Sequence, residues 1–385
     1  MFLPGFANVH SHAFQRRLRG AVQRRDPGRA DTFWSWRERM YGLANSLALD
    51  ELEAIARAVY AECLESGYTA VGEFHYLHHA PDGAPYADPI ATARAHVRAA
   101  AAVGIRLTLL WSAYALGGFD TPATPGQRRF VSRDVDEVRR ALDLLAPLGD
   151  ARPTHVRIGL AIHSVRAVPL AWLAPLAAEA RARGLPLHVH ASEQRPEVDA
   201  CLAKHGRTPI ALLDAEGVLG PATTVVHGTW ADGDDIGRLQ ASGTTVALCP
   251  STEGDLGDGM APVAALFRAG VPLAIGSDSH AVIDPFAELR AVEHWARLAT
   301  HERCVVADAT GAVAPALLAI GGAHGYRALG LAAEGDRLEL DAGARALCDS
   351  EDPHAAALTS GHPGLVRHVE VAGRRVVEDG RALGG

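Results

Sequence analysis

Short apolar runs recur along the chain, each followed by a polar cluster and then by an Ala-, Leu- and Arg-rich stretch of helical spacing. The runs at 3–9, 69–74, 105–111, 156–162, 185–190, 223–227, 244–249 and 271–276 predict eight strands. Amphipathic stretches at 50–66, 87–103, 134–145, 170–183, 231–241, 262–269 and 285–299 predict helices between them. Gly67, Gly104, Gly184, Gly243 and Gly270 stand where helix-terminating residues belong. Eight strands alternating with helices predict an α/β fold, a (β/α)8 TIM barrel. The most apolar stretch, 99–118, is broken by Arg106 and reads as a helix end followed by a strand. Residues 128–134 read as no more than the polar start of a helix.

The pattern changes near residue 330. Short strands are expected at 336–340, 366–371 and 374–377, the last two joined as a hairpin through Ala372 and Gly373. The expected division is a barrel over 1–330 and a small β appendage over 331–385. The appendage strands have only one another or an N-terminal strand to pair with, and the sequence offers no strand before residue 3.

Composition narrows the chemistry. The 385 residues carry 37 basic and 45 acidic side chains, a formal net charge of −8. That balance argues against a nucleic-acid or membrane-surface partner. Lys204 is the only lysine, so Schiff-base and carbamylated-lysine chemistry is excluded elsewhere. Five cysteines without a CxxC pair, and an N-terminus without a basic leader, point to reduced thiols in the cytoplasm. The cluster Arg16, Arg17, Arg19, Arg24 and Arg25 resembles a nucleic-acid patch only locally; structural or interface use suits the overall acidity better.

Catalytic groups of such barrels sit at the C-terminal ends of the strands, and here every predicted strand ends in polar residues. His10 and His12 are two apart, so a strand directs both to one side. His190 after the fifth strand and Asp278 after the eighth complete a three-nitrogen, one-oxygen set suited to Zn2+ or Fe2+. An isolated HxH is more often a surface or core pair; the matching strand ends tip the reading to one catalytic divalent metal. Glu193, three residues after His190, can reach a coordinated water and serve as a proton shuttle, although alone it reads equally as a helix-start carboxylate. His227 closes the sixth strand on the same rim. His188 lies one pleat deeper and reads as a packing or orienting residue.

With these residues the sequence resembles the amidohydrolase superfamily, which carries HxH after strand 1, histidines after strands 5 and 6, and aspartate after strand 8. The spacing from His190 to Glu193 and the absence of a strand-4 lysine resemble its mononuclear deaminase branch. Within that branch the sequence is similar to the formimidoylglutamate deiminase family. The matching segments are 4–16 (PGFANVHSHAFQR), 33–41 (FWSWRERMY), 73–79 (EFHYLHH), 163–168 (HSVRAV), 249–253 (CPSTE), 256–259 (LGDG) and 276–280 (GSDSH). The resemblance implies metal-dependent hydrolysis of N-formimidoyl-L-glutamate to N-formyl-L-glutamate and ammonia, in histidine degradation. It implies His10, His12, His190 and Asp278 as ligands and Glu193, His227 and Asp278 as catalytic groups. Gln15, Arg37, Tyr76, His163 and Arg166 are implied as contacts to a substrate with two carboxylates, for which arginine is the better donor. Arg37 is expected on an active-site loop between aromatic residues. Superfamily members usually carry some tens of residues before the HxH, forming half of a β-sandwich with the C-terminal strands. The appendage is therefore expected to be a sandwich remnant lacking its N-terminal half. Homodimers are common among such relatives, but no interface pattern is readable. The competing readings are a deaminase of an aminopurine or related ring, which would want stacking aromatics in place of paired arginines, and a metal-free scaffold.

Overall fold

A computed structural model describes residues 1–149 and 155–384. Eight parallel strands form the predicted barrel: Phe6–Ser11, Tyr68–His75, Arg106–Ala113, Val156–Ser164, Leu187–Ala191, Thr223–His227, Thr245–Leu248 and Leu273–Ile275. Each pairs with its neighbours in chain order. The first three are buried along their whole length, as a sheet covered on both faces requires. Helices include Leu49–Ser66, Ala91–Val103, Leu170–Ala182, Gly233–Ser242 and Pro285–Thr300. All five glycines expected at helix ends adopt positive φ. No helix among the described residues is long and apolar enough to cross a membrane.

The ladder between the eighth and first strands is a single bridge, Ser11 to Asp278. Two backbone hydrogen bonds reinforce it: Asp278 N–H donates to His10 O at 2.9 Å, and His12 N–H donates to Asp278 O at 3.1 Å. The barrel therefore closes through three of the residues expected to hold the metal. Close approach at this seam depends on Gly276, where a Cβ would stand 2.8 Å from the Cβ of His10 and 3.0 Å from its backbone N and O.

The sequence reading ran one strand from 3 to 9, with no strand before it. The chain instead divides at Gly5, and Phe2–Pro4 pairs antiparallel with Arg337–Leu340. The first residues thus belong to the small sheet, which continues through Val366–Val371, Arg374–Glu378 and Arg381–Ala382. At the division Gly5 N–H donates to Asp336 O at 3.2 Å while Phe6 N–H donates to Gly67 O at 3.2 Å, and residue 5 must be glycine because a side chain there would strike Thr69 at 2.2 Å. The expected hairpin turn forms, with Ala372 at φ 52° and Gly373 at φ 75°. Asp336 joins sheet to barrel, accepting from Arg106 Nε (2.8 Å), Arg106 Nη2 (2.9 Å) and Ala372 N–H (2.8 Å).

Residues 128–134 are more than a polar helix start. Arg129 is completely buried and donates to the carbonyls of Ala44, Leu47 and His79, fastening the segment beneath the neighbouring loops. Arg16 and Arg19 both pair with Glu62, a structural use of two members of the basic cluster.

Gly276→Ala should lower stability by about 1–3 kcal/mol through overpacking at the seam. Thermal unfolding together with the metal content of the purified variant checks this. The loss of stability should come with weaker metal retention, since the displaced residue is His10.

Candidate active site

Side chains from the first, fifth and eighth strand ends converge at the C-terminal mouth. His10 Nε2 lies 3.0 Å from His190 Nε2 and 3.4 Å from Asp278 Oδ1, and His12 Nε2 lies 3.5 Å from that same oxygen. An ion with tetrahedral bonds of about 2.0–2.1 Å separates its ligand atoms by about 3.3 Å. These pairs have that spacing, and the donors fall into two groups that share His10, one with His12 and Asp278 and one with His190 and His227, the atoms of each lying within 4.8 Å of one another; the chemistry of both groups suits a divalent cation of the zinc type. Two rings have their other nitrogen committed: His12 Nδ1 faces Phe74 O at 3.0 Å and His190 Nδ1 faces His163 O at 2.8 Å. Donation from Nδ1 leaves each Nε2 as a bare lone pair. Burial first, and then the neighbouring imidazoles, hold His10 and His190 well below the usual histidine range, so both rings are neutral.

Backbone strain concentrates here. Ser192, His227, Asp278 and His280 adopt φ of 55°, 74°, 46° and 59°. Left-handed conformations of this kind in residues other than glycine cost about 1–3 kcal/mol each, and they turn side chains away from the strand line. Behind the seam, Ser11 Oγ donates to Glu73 at 2.7 Å and meets His280 Nε2 at 2.9 Å. Ser277 Oγ meets His280 Nδ1 at 2.9 Å and accepts from Asn8 at 2.6 Å.

Beside the ligands, His227 is surrounded by carboxylates. Its Nε2 is 3.7 Å from Glu193 and 3.8 Å from Asp278, and its Nδ1 is 3.1 Å from Glu253. Burial opposes charging the ring, but Glu193, the bond to Glu253 and Asp278 together push His227 up to about 10. Burial pushes Glu193 up to about 7. Arg166 is buried against Glu193 (3.7 Å) and Glu197 (3.4 Å).

The cavity before this cluster is lined by His12, Gln15, Arg37, Tyr76, His163, Arg166, His190, Glu193, His227 and Asp278. Every expected site residue except His10, which lies completely buried behind the wall, faces this space. Gln15 donates to the Tyr76 hydroxyl at 2.9 Å, and its own carbonyl oxygen is buried without a partner. Arg37 lies on a helix, Phe33–Ala44, and not on the expected loop. Its guanidinium sits 4.5 Å from the Trp34 ring and 5.5 Å from the Tyr41 ring. Among the described residues it has no acidic partner. His188 sits deeper, bonded to Ala328 O at 3.0 Å, as a packing residue.

The sequence reading did not assign the remaining walls, Phe33, Trp36, Met40, Tyr41, Tyr114, Phe130 and Leu256. Nor did it assign Glu197 or Glu253. Glu253 was visible as a carboxylate after the seventh strand; Glu197, one helical turn beyond Glu193, carried no signal separating it from a solvated helix face.

Comparison with known proteins gives one family and close relatives. The Amidohydrolase family pattern matches residues 1–375. The chain is 39% identical to the formimidoylglutamate deiminase of Pseudomonas aeruginosa, over 99% of this chain and 86% of that enzyme. It is 30% identical to a 5-methylthioadenosine/S-adenosylhomocysteine deaminase of Haloarcula marismortui, over 100% of this chain and 81% of that enzyme. Among solved structures, an amidohydrolase from Brucella melitensis superposes with a TM-score of 0.92 at 34% identity, covering 99% of this chain and 86% of the other.

The helix Pro250–Leu256, which carries Glu253, is anchored by Glu288, whose carboxylate accepts from Ser251 N–H at 3.0 Å and from the Ser251 hydroxyl. Burial pushes Glu288 up to about 8. A carboxyl raised in the folded state contributes stability below its ordinary value, and that contribution is lost as the pH rises through about 8. Thermal melts of Glu288→Gln and the native protein should therefore diverge between pH 5 and pH 9, the variant gaining by several degrees at the alkaline end. Parallel curves would contradict the assignment.

Proposed function

Since the chain belongs to the Amidohydrolase family and is a hydrolase of C–N bonds, we propose that it converts N-formimidoyl-L-glutamate to N-formyl-L-glutamate and ammonia, a step of histidine degradation. The observation that carries this reading is the pair of arginines, Arg37 and Arg166, on the walls of the same cavity as the ligand cluster. A substrate with two carboxylates needs two such planar donors, and a neutral ring does not.

His10, His12, His190 and Asp278 would hold a single divalent cation, Zn2+ first and Fe2+ second. When bound, the cation supplies water of lowered pKa at neutral pH and positive charge beside the developing oxyanion. Glu193 takes a proton from the attacking water as its oxygen bonds to the amidine carbon. The substrate amidine is protonated at neutral pH, so its terminal nitrogen already carries two hydrogens; the same carboxyl returns the proton to that nitrogen, which leaves as ammonia while the C–N bond breaks. His227 donates from Nε2 to the incoming oxygen, and Asp278 accepts the remaining proton as the formyl carbonyl forms. Arg37 and Arg166 grip the substrate carboxylates, with Gln15, Tyr76 and His163 in supporting contacts. Substrate binding would draw Arg166 from Glu193 and Glu197 toward the ligand.

A ring-deaminase reading keeps one observation in its favour. Phe33, Trp36, Tyr41, Tyr76, Tyr114 and Phe130 line the cavity and offer stacking faces.

Ammonia release by the metal-loaded protein separates the two. Release from N-formimidoyl-L-glutamate, with far less from N-formimidoyl-L-aspartate and none from adenosine, is the expected result. Arg166→Met should raise KM for the amidine at least about tenfold, the scale of one lost charge-assisted pair. Glu193→Gln should lower kcat by about 10²–10⁴ while retaining the metal. Release from adenosine alone would transfer the assignment to the ring deaminases.

A further inference from the structure

Glu253 is the least explained charge near the reaction centre. It is completely buried, and its Oε1 accepts from His227 Nδ1 at 3.1 Å and from Cys249 N–H at 3.0 Å. Its Oε2 is buried without a hydrogen-bond partner. A fully buried carboxylate satisfied on only one oxygen is costly unless a cation offsets it. The partner that structure provides is the His227 ring, held at a strand end in the left-handed conformation (φ 74°). That ring has two ends with different neighbours. Nδ1 is committed to Glu253, and Nε2 faces the gap between Glu193 and Asp278 at 3.7 and 3.8 Å.

We propose that Glu253 is a positioning residue for the reaction: by accepting the Nδ1 hydrogen of His227 it fixes the rotation of that ring, so that the Nε2–H points at the reacting oxygen. Glu253 does not line the substrate cavity, so its effect passes through His227. Without it, the Nδ1–H has no acceptor and the ring is free to flip away from the reacting oxygen. The inference rests on the role given to His227 above, but one of its tests does not depend on the substrate.

In Glu253→Ala, kcat should fall about 100-fold, the scale seen when the partner of a catalytic histidine is removed, with KM and bound metal within about twofold of native. Glu253→Gln keeps an oxygen that can accept from Nδ1 and should recover activity to within about tenfold of native. Combined with His227→Gln, the alanine change should add less than about twofold, because both act on one ring. Nitrogen-15 NMR of the histidine-labelled, metal-loaded protein should show His227 with a stably protonated Nδ1 in the native chain and Gln variant, and an averaged or altered ring in the Ala variant. That spectrum decides the point even if the native protein releases no ammonia from the amidine, an outcome that would count against the substrate assignment instead. A native-like kcat in a folded Glu253→Ala protein would overturn the proposal. So would full additivity with His227→Gln, or an unchanged His227 spectrum. If the Ala variant does not fold, the Gln variant decides: native-like His227 resonances support the proposal, and a lost Nδ1 hydrogen overturns it.

Discussion

The seam between the first and eighth strands carries two duties at once. A barrel of eight strands must close, and here the last junction is made by backbone bonds among His10, His12 and Asp278, whose side chains are also candidate ligands. Fold closure and donor spacing are therefore one constraint. The chain meets it with Gly276, which lets the strands approach, and with the strained backbone at Asp278, which turns the carboxylate inward. The Asn8, Ser277, His280, Ser11 and Glu73 network behind the seam satisfies the polar groups that closure buries.

Electrostatics then separate the site into two halves. On one side, neutral imidazoles and Asp278 gather around His10 in two donor groups, one with His12 and Asp278 and one with His190 and His227. On the other, His227 and Arg166 stand among Glu193, Glu197 and Glu253. Positive and negative groups interleave there, so each buried charge has an opposite neighbour. The aromatic helix Phe33–Ala44 brings Arg37 to the cavity with its charge uncommitted, stacked on Trp34 and Tyr41 in place of a carboxylate.

The strand and helix pattern of the barrel was legible because buried parallel strands read as apolar runs and their helices end in glycine. The convergence of the candidate ligand histidines was legible because strand periodicity and strand-end position both constrain them. Four features were not. Phe2–Pro4 and the first barrel strand read as one run, since both are apolar and only their different pairing partners divide them. Arg129 looked like a surface charge because its acceptors are carbonyls, which leave no trace in side-chain pattern. Arg37 was expected on a loop because aromatic and charged residues alternate around it without a clear apolar stripe. Glu253 was read as a polar strand end, but its pairing with His227 joins residues 26 apart and needs the fold to be seen.

The central claim is that His10, His12, His190 and Asp278 share one cation, and metal analysis combined with X-ray absorption tests it most directly. The account predicts close to one equivalent of zinc or iron after repletion and dialysis, an inner shell of nitrogen and oxygen at about 2.0–2.1 Å with imidazole scattering, and loss of that metal in His190→Ala. Substoichiometric metal in the repleted native protein, or full retention in the His190→Ala variant, would contradict it.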